Sequence, residues 1–152
     1  MKAAMRVALF APLIMLFAVP SAARETVGAF STWAAFCDEP KKCFAISEPV
    51  ERTKHPFLSV AILGPTLRIQ AHLGRPARAA KLTIGDADFG LSVSGEEAIA
   101  DPRTSRRIVA AMREAESATI VGTSDKGRRF RHHYLLAGAP SAIDAAAVAS
   151  LR

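Results

Sequence analysis

The sequence TWAAFCDEPKKCFAI, residues 32–46, contains the single tryptophan and both cysteines of the chain. Asp38 and Pro40 lie between Cys37 and Cys43, and both residue types favour a tight turn. Aromatic and aliphatic residues on either side are typical of strands. The pattern therefore predicts a β-hairpin whose two strands are joined near the tip by a Cys37–Cys43 disulfide.

The disulfide prediction depends on the compartment, and the N-terminus indicates export. Lys2 and Arg6 precede an apolar run at positions 7–19, and small residues at 21–23 follow it. This order is typical of a secretory signal peptide. The run has 13 residues, fewer than the roughly 20 that a membrane-spanning helix needs. We expect cleavage after Ala23 and a periplasmic or secreted protein of a Gram-negative bacterium, where disulfides persist.

Two other interpretations of the cysteines are a redox-active pair and a zinc site. Redox-active pairs more typically have two intervening residues near a helix N-terminus, and neither feature is evident around Cys37 and Cys43. A zinc site needs about four ligands, and none of the four histidines lies at a helical spacing from either cysteine. We expect a structural disulfide, with no metal and no cofactor.

The length and charge of the expected mature chain limit its organisation and its partners. Residues 24–152 are enough for one domain, and no other segment approaches a membrane-spanning length. Removal of Lys2 and Arg6 lowers the formal net charge from +6 to +4. This small excess, without RNA-recognition or zinc-finger motifs, argues against nucleic-acid binding. The sequence gives no indication of the oligomeric state.

Alternating apolar and polar residues between Phe57 and Val93 predict several strands. The clearest segments are 67–73, 82–84 and 89–93, and the breaks between them are short and rich in glycine, proline and aspartate. Short breaks favour antiparallel pairing. We expect a mainly antiparallel sheet, with a sandwich and a barrel both compatible with the pattern.

Two helices are predicted in the C-terminal third. Asp101 and Pro102 provide a cap and a first helical residue, and apolar residues at helical spacing follow at 108, 109 and 112. A strand at 118–122, a turn at 124–127 and a strand at 128–137 come next. Ser141 and Asp144 resemble a capping box that begins a final alanine-rich helix. The predicted fold class is α+β, mainly antiparallel β with two helices packed on the sheet.

This arrangement resembles the invasion-associated locus B family of small exported bacterial proteins. The resemblance rests on Trp33 shortly before Cys37, its partner Cys43, the order helix, strand, turn, strand and helix, and the closing sequence YLLAGAPSAI at 134–143. Many relatives have a second cysteine pair, which this chain lacks. The resemblance implies a largely β, periplasmic or envelope-associated protein, linked in some bacteria to host-cell invasion or stress, with no catalytic residues to carry over.

The sequence RRFRHHY, residues 128–134, is the most suggestive segment for function. On a strand, Phe130, His132 and Tyr134 would share one face, and Arg129, Arg131 and His133 the other. The arginine face could bind phosphate or carboxylate groups through bidentate guanidinium contacts. If Arg68 lies nearby, these residues would form a site for an envelope protein, an acidic glycan or a lipid headgroup. The alternative is an ordinary solvated sheet face.

Our leading hypothesis is a non-catalytic exported protein that acts by surface recognition. No Gly-x-Ser-x-Gly or His-Glu-x-x-His motif occurs in the sequence. A second hypothesis is a small hydrolase or lyase that uses His132 or His133 with Asp86 or Asp88, although a turn between strands also explains the two aspartates. A third is a structural protein or an inhibitor of a periplasmic enzyme.

Overall fold

The computed structural model describes residues 24–51 and 55–152. The predicted leader, residues 1–23, lies outside these ranges. No helix in the described part of the chain is long and apolar enough to cross a membrane.

The described chain forms one large antiparallel sheet with two helices. The sheet has the strand order β1-β2-β3-β4-β5-β8-β7-β6-β9-β10 and does not close into a barrel. The predicted α+β class, mainly antiparallel β with two helices, is confirmed. The elements are β1 (Glu25–Phe30), β2 (Trp33–Glu39), β3 (Lys42–Ser47), β4 (Phe57–Leu63), β5 (Thr66–His72), β6 (Ala77–Ile84), β7 (Ala87–Ser94), β8 (Glu97–Ile99), α1 (Pro102–Met112), β9 (Ser117–Ser124), β10 (Arg129–Leu135) and α2 (Ala139–Ala149).

The cysteine hairpin forms as predicted. Cys37 on β2 lies directly opposite Cys43 on β3, and the two are joined by a disulfide. The turn is shorter than the five-residue segment between the cysteines, because β2 continues to Glu39 and β3 begins at Lys42. Lys41 completes this turn with a positive φ of 64°.

Helix α1 begins where the sequence predicts and is fixed to β5 by a buried serine. The Asp101 carboxylate accepts hydrogen bonds from the backbone N–H groups of Arg103 and Thr104 at 2.9 and 3.0 Å, which satisfies two of the free donors of the first turn. The Ser105 hydroxyl accepts from the backbone N–H of Ile69 at 3.0 Å and donates to the Ala100 carbonyl. This serine therefore sets the position of the helix against the sheet.

The predicted capping box of α2 is wrong. The helix begins at Ala139, and its N-cap is Gly138, which makes no side-chain capping bond. Gly138 has a φ of 87°, and a Cβ there would lie 1.8 Å from the Phe30 carbonyl oxygen, so only glycine fits this close approach. Ser141 therefore lies inside the helix, and the Asp144 carboxylate binds the Arg113 guanidinium at 2.5 Å instead of a backbone N–H.

The turn between β6 and β7 is also shorter than the sequence predicts. Only Gly85 and Asp86 form it, and Asp88 lies within β7, opposite Thr83 of β6. The antiparallel pairing of β6 with β7 continues to the end of the hairpin. Asp88 is therefore a sheet residue and not a turn residue.

One hydrophobic core extends across the sheet and both helices. Helix α2 packs on β1, β2 and β3, whereas α1 packs on β5 and β6. The two helices thus cover different parts of the sheet. The largest fully buried apolar and aromatic side chains come from both parts and include Trp33, Leu58, Ile69, Leu73, Leu82, Ile108, Ile120 and Tyr134.

Candidate functional site

Strand β10 has the two faces that its alternating sequence predicts. Phe130, His132 and Tyr134 are buried in the core, and Arg129 and Arg131 are exposed. His133, the fifth residue of β10, is half-buried on the same side as the two arginines. The recognition face of β10, defined here as Arg129, Arg131 and His133, therefore lies on the outer surface of the sheet.

Arg129 and Arg131 provide the positive charge of the recognition face. They lie opposite Thr123 and Val121 of β9, which carry no charge. Neither guanidinium forms an ion pair within residues 24–51 and 55–152. Side chains two residues apart on a strand are separated by roughly 7 Å. The pair can therefore bind two neighbouring anionic groups.

His133 is held by neighbouring groups. Its Nδ1 lies 3.2 Å from the Thr119 hydroxyl, its backbone N–H donates to the Glu51 carboxylate at 3.0 Å, and its carbonyl accepts from the Val50 N–H at 2.8 Å. The negative charge of Glu51 thus lies at this end of β10. The positive charge of the recognition face is concentrated at Arg129 and Arg131.

Arg68 is exposed on β5 and is not next to β10 in the sheet. Four strands, β8, β7, β6 and β9, lie between β5 and β10 in the hydrogen-bonded order. The sequence predicts the outward direction of Arg68, but it does not predict this strand order. Arg68 is therefore not a neighbour of the recognition face in the sheet.

His132 lies in the core, with 3% of its surface exposed. Its Nε2 is 3.1 Å from the Leu73 carbonyl oxygen, so this nitrogen carries a proton and donates it, which leaves Nδ1 as an acceptor. Within the described residues, Nδ1 has no partner, nor does the hydroxyl of the neighbouring Tyr134. Burial lowers the pKa of His132 and raises the pKa of Tyr134.

The two aspartates of the hydrolase hypothesis lie apart from both histidines of β10. Asp86 is exposed in its turn. Asp88 accepts hydrogen bonds from Lys81 at 2.5 Å and Thr83 at 2.6 Å, and these two contacts lower its pKa. His133 and Asp88 nevertheless lie on the same face of the sheet, the outer one.

The ladder also gives the separation between His133 and Asp88. His133 lies opposite Thr119, Thr119 opposite Thr83, and Thr83 opposite Asp88. Three strand spacings separate the ends of this row, roughly 14 Å. The imidazole and the carboxylate are therefore not within hydrogen-bonding distance.

A carboxylate–histidine cluster that the sequence analysis missed lies where β5 meets β8. The Nδ1 of His72 is 2.6 Å from a carboxylate oxygen of Glu97, and its Nε2 is 3.2 Å from Glu96. Gln70 donates to the other Glu97 oxygen at 3.0 Å. These contacts depend on the pairing of His72 with Glu97 across the β5–β8 ladder, which no local pattern indicates.

The described residues contain no group of three or more histidine, cysteine, aspartate or glutamate side chains that could hold a metal ion. They do form an open groove of about 860 Å³ beside the start of β2. Trp33, Val50, Phe57, His72 and Leu135 are among its lining residues. Residues 52–54, which adjoin this groove in sequence, lie outside the described ranges.

The comparisons with known proteins show a likeness of fold. No protein-family model matches the chain, and no curated protein matches it in sequence. The chain is similar in structure to invasion associated protein B from Bartonella henselae, with a TM-score of 0.63 and 16% sequence identity. The match covers 84% of this chain and 99% of that protein. The resemblance drawn from the sequence is therefore supported at the level of the fold.

Proposed function

We propose that this protein is a non-catalytic exported protein of the cell envelope that recognises an acidic partner through the recognition face of β10. The observation that carries the proposal is the exposed pair Arg129 and Arg131, which forms no ion pair within the described residues. Two exposed guanidinium groups on one face of a strand favour carboxylate or phosphate partners. Such groups occur on envelope proteins, acidic glycans and lipid headgroups.

The fold likeness supports the cellular setting of the proposal. The similar structure is named an invasion associated protein, and we extend a role in host-cell invasion to this chain as part of the proposal. The leader-like residues 1–23 and the Cys37–Cys43 disulfide support export. Export would place the recognition face where envelope components are its accessible partners.

Capture of partners from envelope extracts tests the recognition face. The test variant is Arg129→Glu with Arg131→Glu, and the control is Arg103→Glu with Arg106→Glu on the exposed side of α1. Both variants change the net charge equally. We expect the test variant to bind the captured partner about tenfold more weakly or worse, which corresponds to a loss of about 1.4 kcal/mol. Equal capture by both variants would show that the face is wrongly assigned.

Export has a separate test that does not depend on the partner. Cells that produce the full chain are fractionated, and the protein is identified by intact mass with and without alkylation. We expect a periplasmic or secreted product that begins at Arg24 and contains no alkylatable thiol. A full-length cytosolic product with two free thiols would contradict the proposed location.

A further inference from the structure

We infer that a second cationic surface, separate from the recognition face, binds a membrane surface that carries anionic phospholipid headgroups. It consists of Arg75, Arg78, Lys126 and Arg128, which we call the basic corner. Arg75 and Arg78 come from the connection into β6 and its first residues, and Lys126 and Arg128 come from the β9–β10 turn. The two pairs are about fifty residues apart in sequence.

Backbone contacts bring the two segments together. The N–H of Asp125 donates to the Pro76 carbonyl at 3.1 Å, and Ala77 of β6 pairs with Ser124 of β9. The side chain of Arg78 reaches the turn, since a Cβ built on Gly127 would lie 3.7 Å from its Nη2. The basic corner is therefore one continuous surface and not two separate charged loops.

Arg75 is held in this surface by an aromatic contact. The carbon of its guanidinium lies 5.2 Å from the centre of the Phe130 ring, within the range of a cation–π interaction. Its Nε is buried and has no hydrogen-bond partner in the part of the chain that the structure describes. The contact with Phe130 holds the guanidinium beside the turn, and no carboxylate among the described residues pairs with it.

The basic corner has a strong local excess of positive charge. None of its four residues forms an ion pair within the described ranges. The one acidic residue of the turn, Asp125, accepts a hydrogen bond from the backbone N–H of Lys126 at 2.7 Å. The four cations and this carboxylate together carry a formal charge of +3, compared with the net +4 of residues 24–152.

The shape and composition of the basic corner favour an extended surface over a small ligand. Arg78, Lys126 and Arg128 are exposed at the end of a sheet. The exposed large apolar residues of the described chain, Val50, Leu135, Val148 and Leu151, belong to other segments. The corner therefore offers charge without an apolar anchor, which suits reversible contact with headgroups and no insertion.

The contribution of each cation to membrane binding, and its screening by salt, give a measurable expectation. Each lysine or arginine close to an anionic membrane strengthens binding by about fivefold. Exposed charges are screened by salt, with a Debye length of about 10 Å at 0.1 M and about 3 Å at 1 M. Binding through the basic corner should therefore be strong only at low ionic strength, and removal of two cations should weaken it by about 25-fold.

The test measures co-sedimentation of the protein with lipid vesicles. Vesicles of phosphatidylcholine alone are compared with vesicles that also contain phosphatidylglycerol, at about 50 mM and about 500 mM NaCl. The test variant is Lys126→Glu with Arg128→Glu. The control is Lys41→Glu with Arg152→Glu, two exposed residues that line the same small pocket. Lys41 lies beside the β4–β5 turn, at the other end of β5 from Arg75.

We expect the unaltered protein and the control to bind phosphatidylglycerol vesicles at low salt and to dissociate at high salt. The test variant should bind at least about 25-fold more weakly. No binding by the unaltered protein at low salt, or equal losses in both variants, would overturn the inference. So would displacement by inorganic phosphate beyond that of NaCl at the same ionic strength, since this would indicate an ion site.

The inference relies on the proposed function only for export, which gives the basic corner access to a membrane. Arg129 and Arg131 stay unchanged in both variants, so capture by the recognition face can be measured on the same proteins. Loss of vesicle binding with intact partner capture supports both proposals as separate surfaces. Normal vesicle binding by the test variant rejects the corner and leaves the recognition face standing.

Discussion

The indole N–H of Trp33 donates a hydrogen bond to the carbonyl oxygen of Leu135 at 2.9 Å. Trp33 is the first residue of β2 and Leu135 the last of β10, so the contact joins two strands that are far apart in the sheet order. The Thr32 hydroxyl lies 3.2 Å from the same carbonyl and 3.2 Å from that of Ala137. This contact connects the β1–β2 hairpin to the strand that carries the recognition face.

Trp33→Phe should destabilise the protein by about 2 kcal/mol. The substitution removes the hydrogen bond to Leu135 and part of the volume of a fully buried side chain. Urea unfolding measures the change. Thr32→Val is the comparison, since it removes only exposed hydroxyl contacts and should cost less than about 1 kcal/mol. A Trp33→Phe variant that is no less stable than Thr32→Val would contradict the connecting role of the indole.

The elements that the sequence predicts best are those with a complete local pattern. Cys37 and Cys43 enclose a turn, and residues 67–73 alternate without a break, so β2, β3 and β5 follow from the sequence. The sequence does not predict strand β8, because its three residues are too few to show a period and their pairing with β5 and β7 is non-local. The predicted start of α2 is wrong because the need for glycine at position 138 comes from its close approach to Phe30, which is distant in sequence.

Gly122→Ala should destabilise the protein by about 1–3 kcal/mol. Gly122 of β9 lies opposite Phe130 of β10, and a Cβ at this position would lie 2.2 Å from the aromatic ring. The ring would have to move away from its packed position, which is the cost of overpacking. Thermal or urea unfolding measures the loss.

Gly90→Ala is the matched control for Gly122→Ala. Gly90 is also a strand glycine without a positive φ, but nothing lies within 4 Å of a Cβ built there. Its substitution should leave stability within about 0.5 kcal/mol or raise it slightly. Equal losses in the two variants would indicate that the Phe130 ring does not determine the need for glycine in β9.

Reduction of the disulfide should lower the free energy of unfolding by about 2 kcal/mol, because the bond closes a short loop in the unfolded chain. Cys37 and Cys43 are both buried and belong to the hydrophobic core. Unfolding is measured with and without reductant. The Cys37→Ser, Cys43→Ser variant is the control, and a reductant effect in that variant would mean that the change does not come from the disulfide.

The candidate sites, like the fold, are only partly predictable from the sequence. The two faces of β10 follow from alternation within one strand, and the structure has them as expected. The cluster of His72, Glu96 and Glu97 and the basic corner depend on which strands pair across the crossovers β5–β8 and β6–β9. Arg68 fails to join Arg129 and Arg131 for the same reason. Local periodicity gives the direction of a side chain, but its neighbours come from strand order.

The stability of the protein should fall as the pH decreases below the ordinary pKa of histidine, because His132 is buried as a neutral imidazole. Burial is the main cause that lowers its pKa, and the positive charge of Arg75 acts in the same direction. The Leu73 carbonyl and the Glu51 carboxylate oppose this shift without reversing it. The Nδ1 of His132 has no acceptor within the described residues, so a second ring proton would be left without a hydrogen bond.

The direction of this effect follows from proton binding in the two states. In the unfolded chain His132 binds a proton as the pH falls through about 6.5, whereas in the folded protein it binds the same proton only at lower pH. The contribution of His132 is therefore fully present above about pH 6.5 and is lost progressively below it, until the folded state also takes up the proton. His132→Gln keeps a donor for the Leu73 carbonyl and cannot be charged. Urea unfolding of both proteins between about pH 8 and about pH 5 should give curves that diverge only in the acid range, with the unaltered protein losing more stability. Parallel curves across that range would mean that His132 takes up its proton equally easily in the folded and unfolded chains.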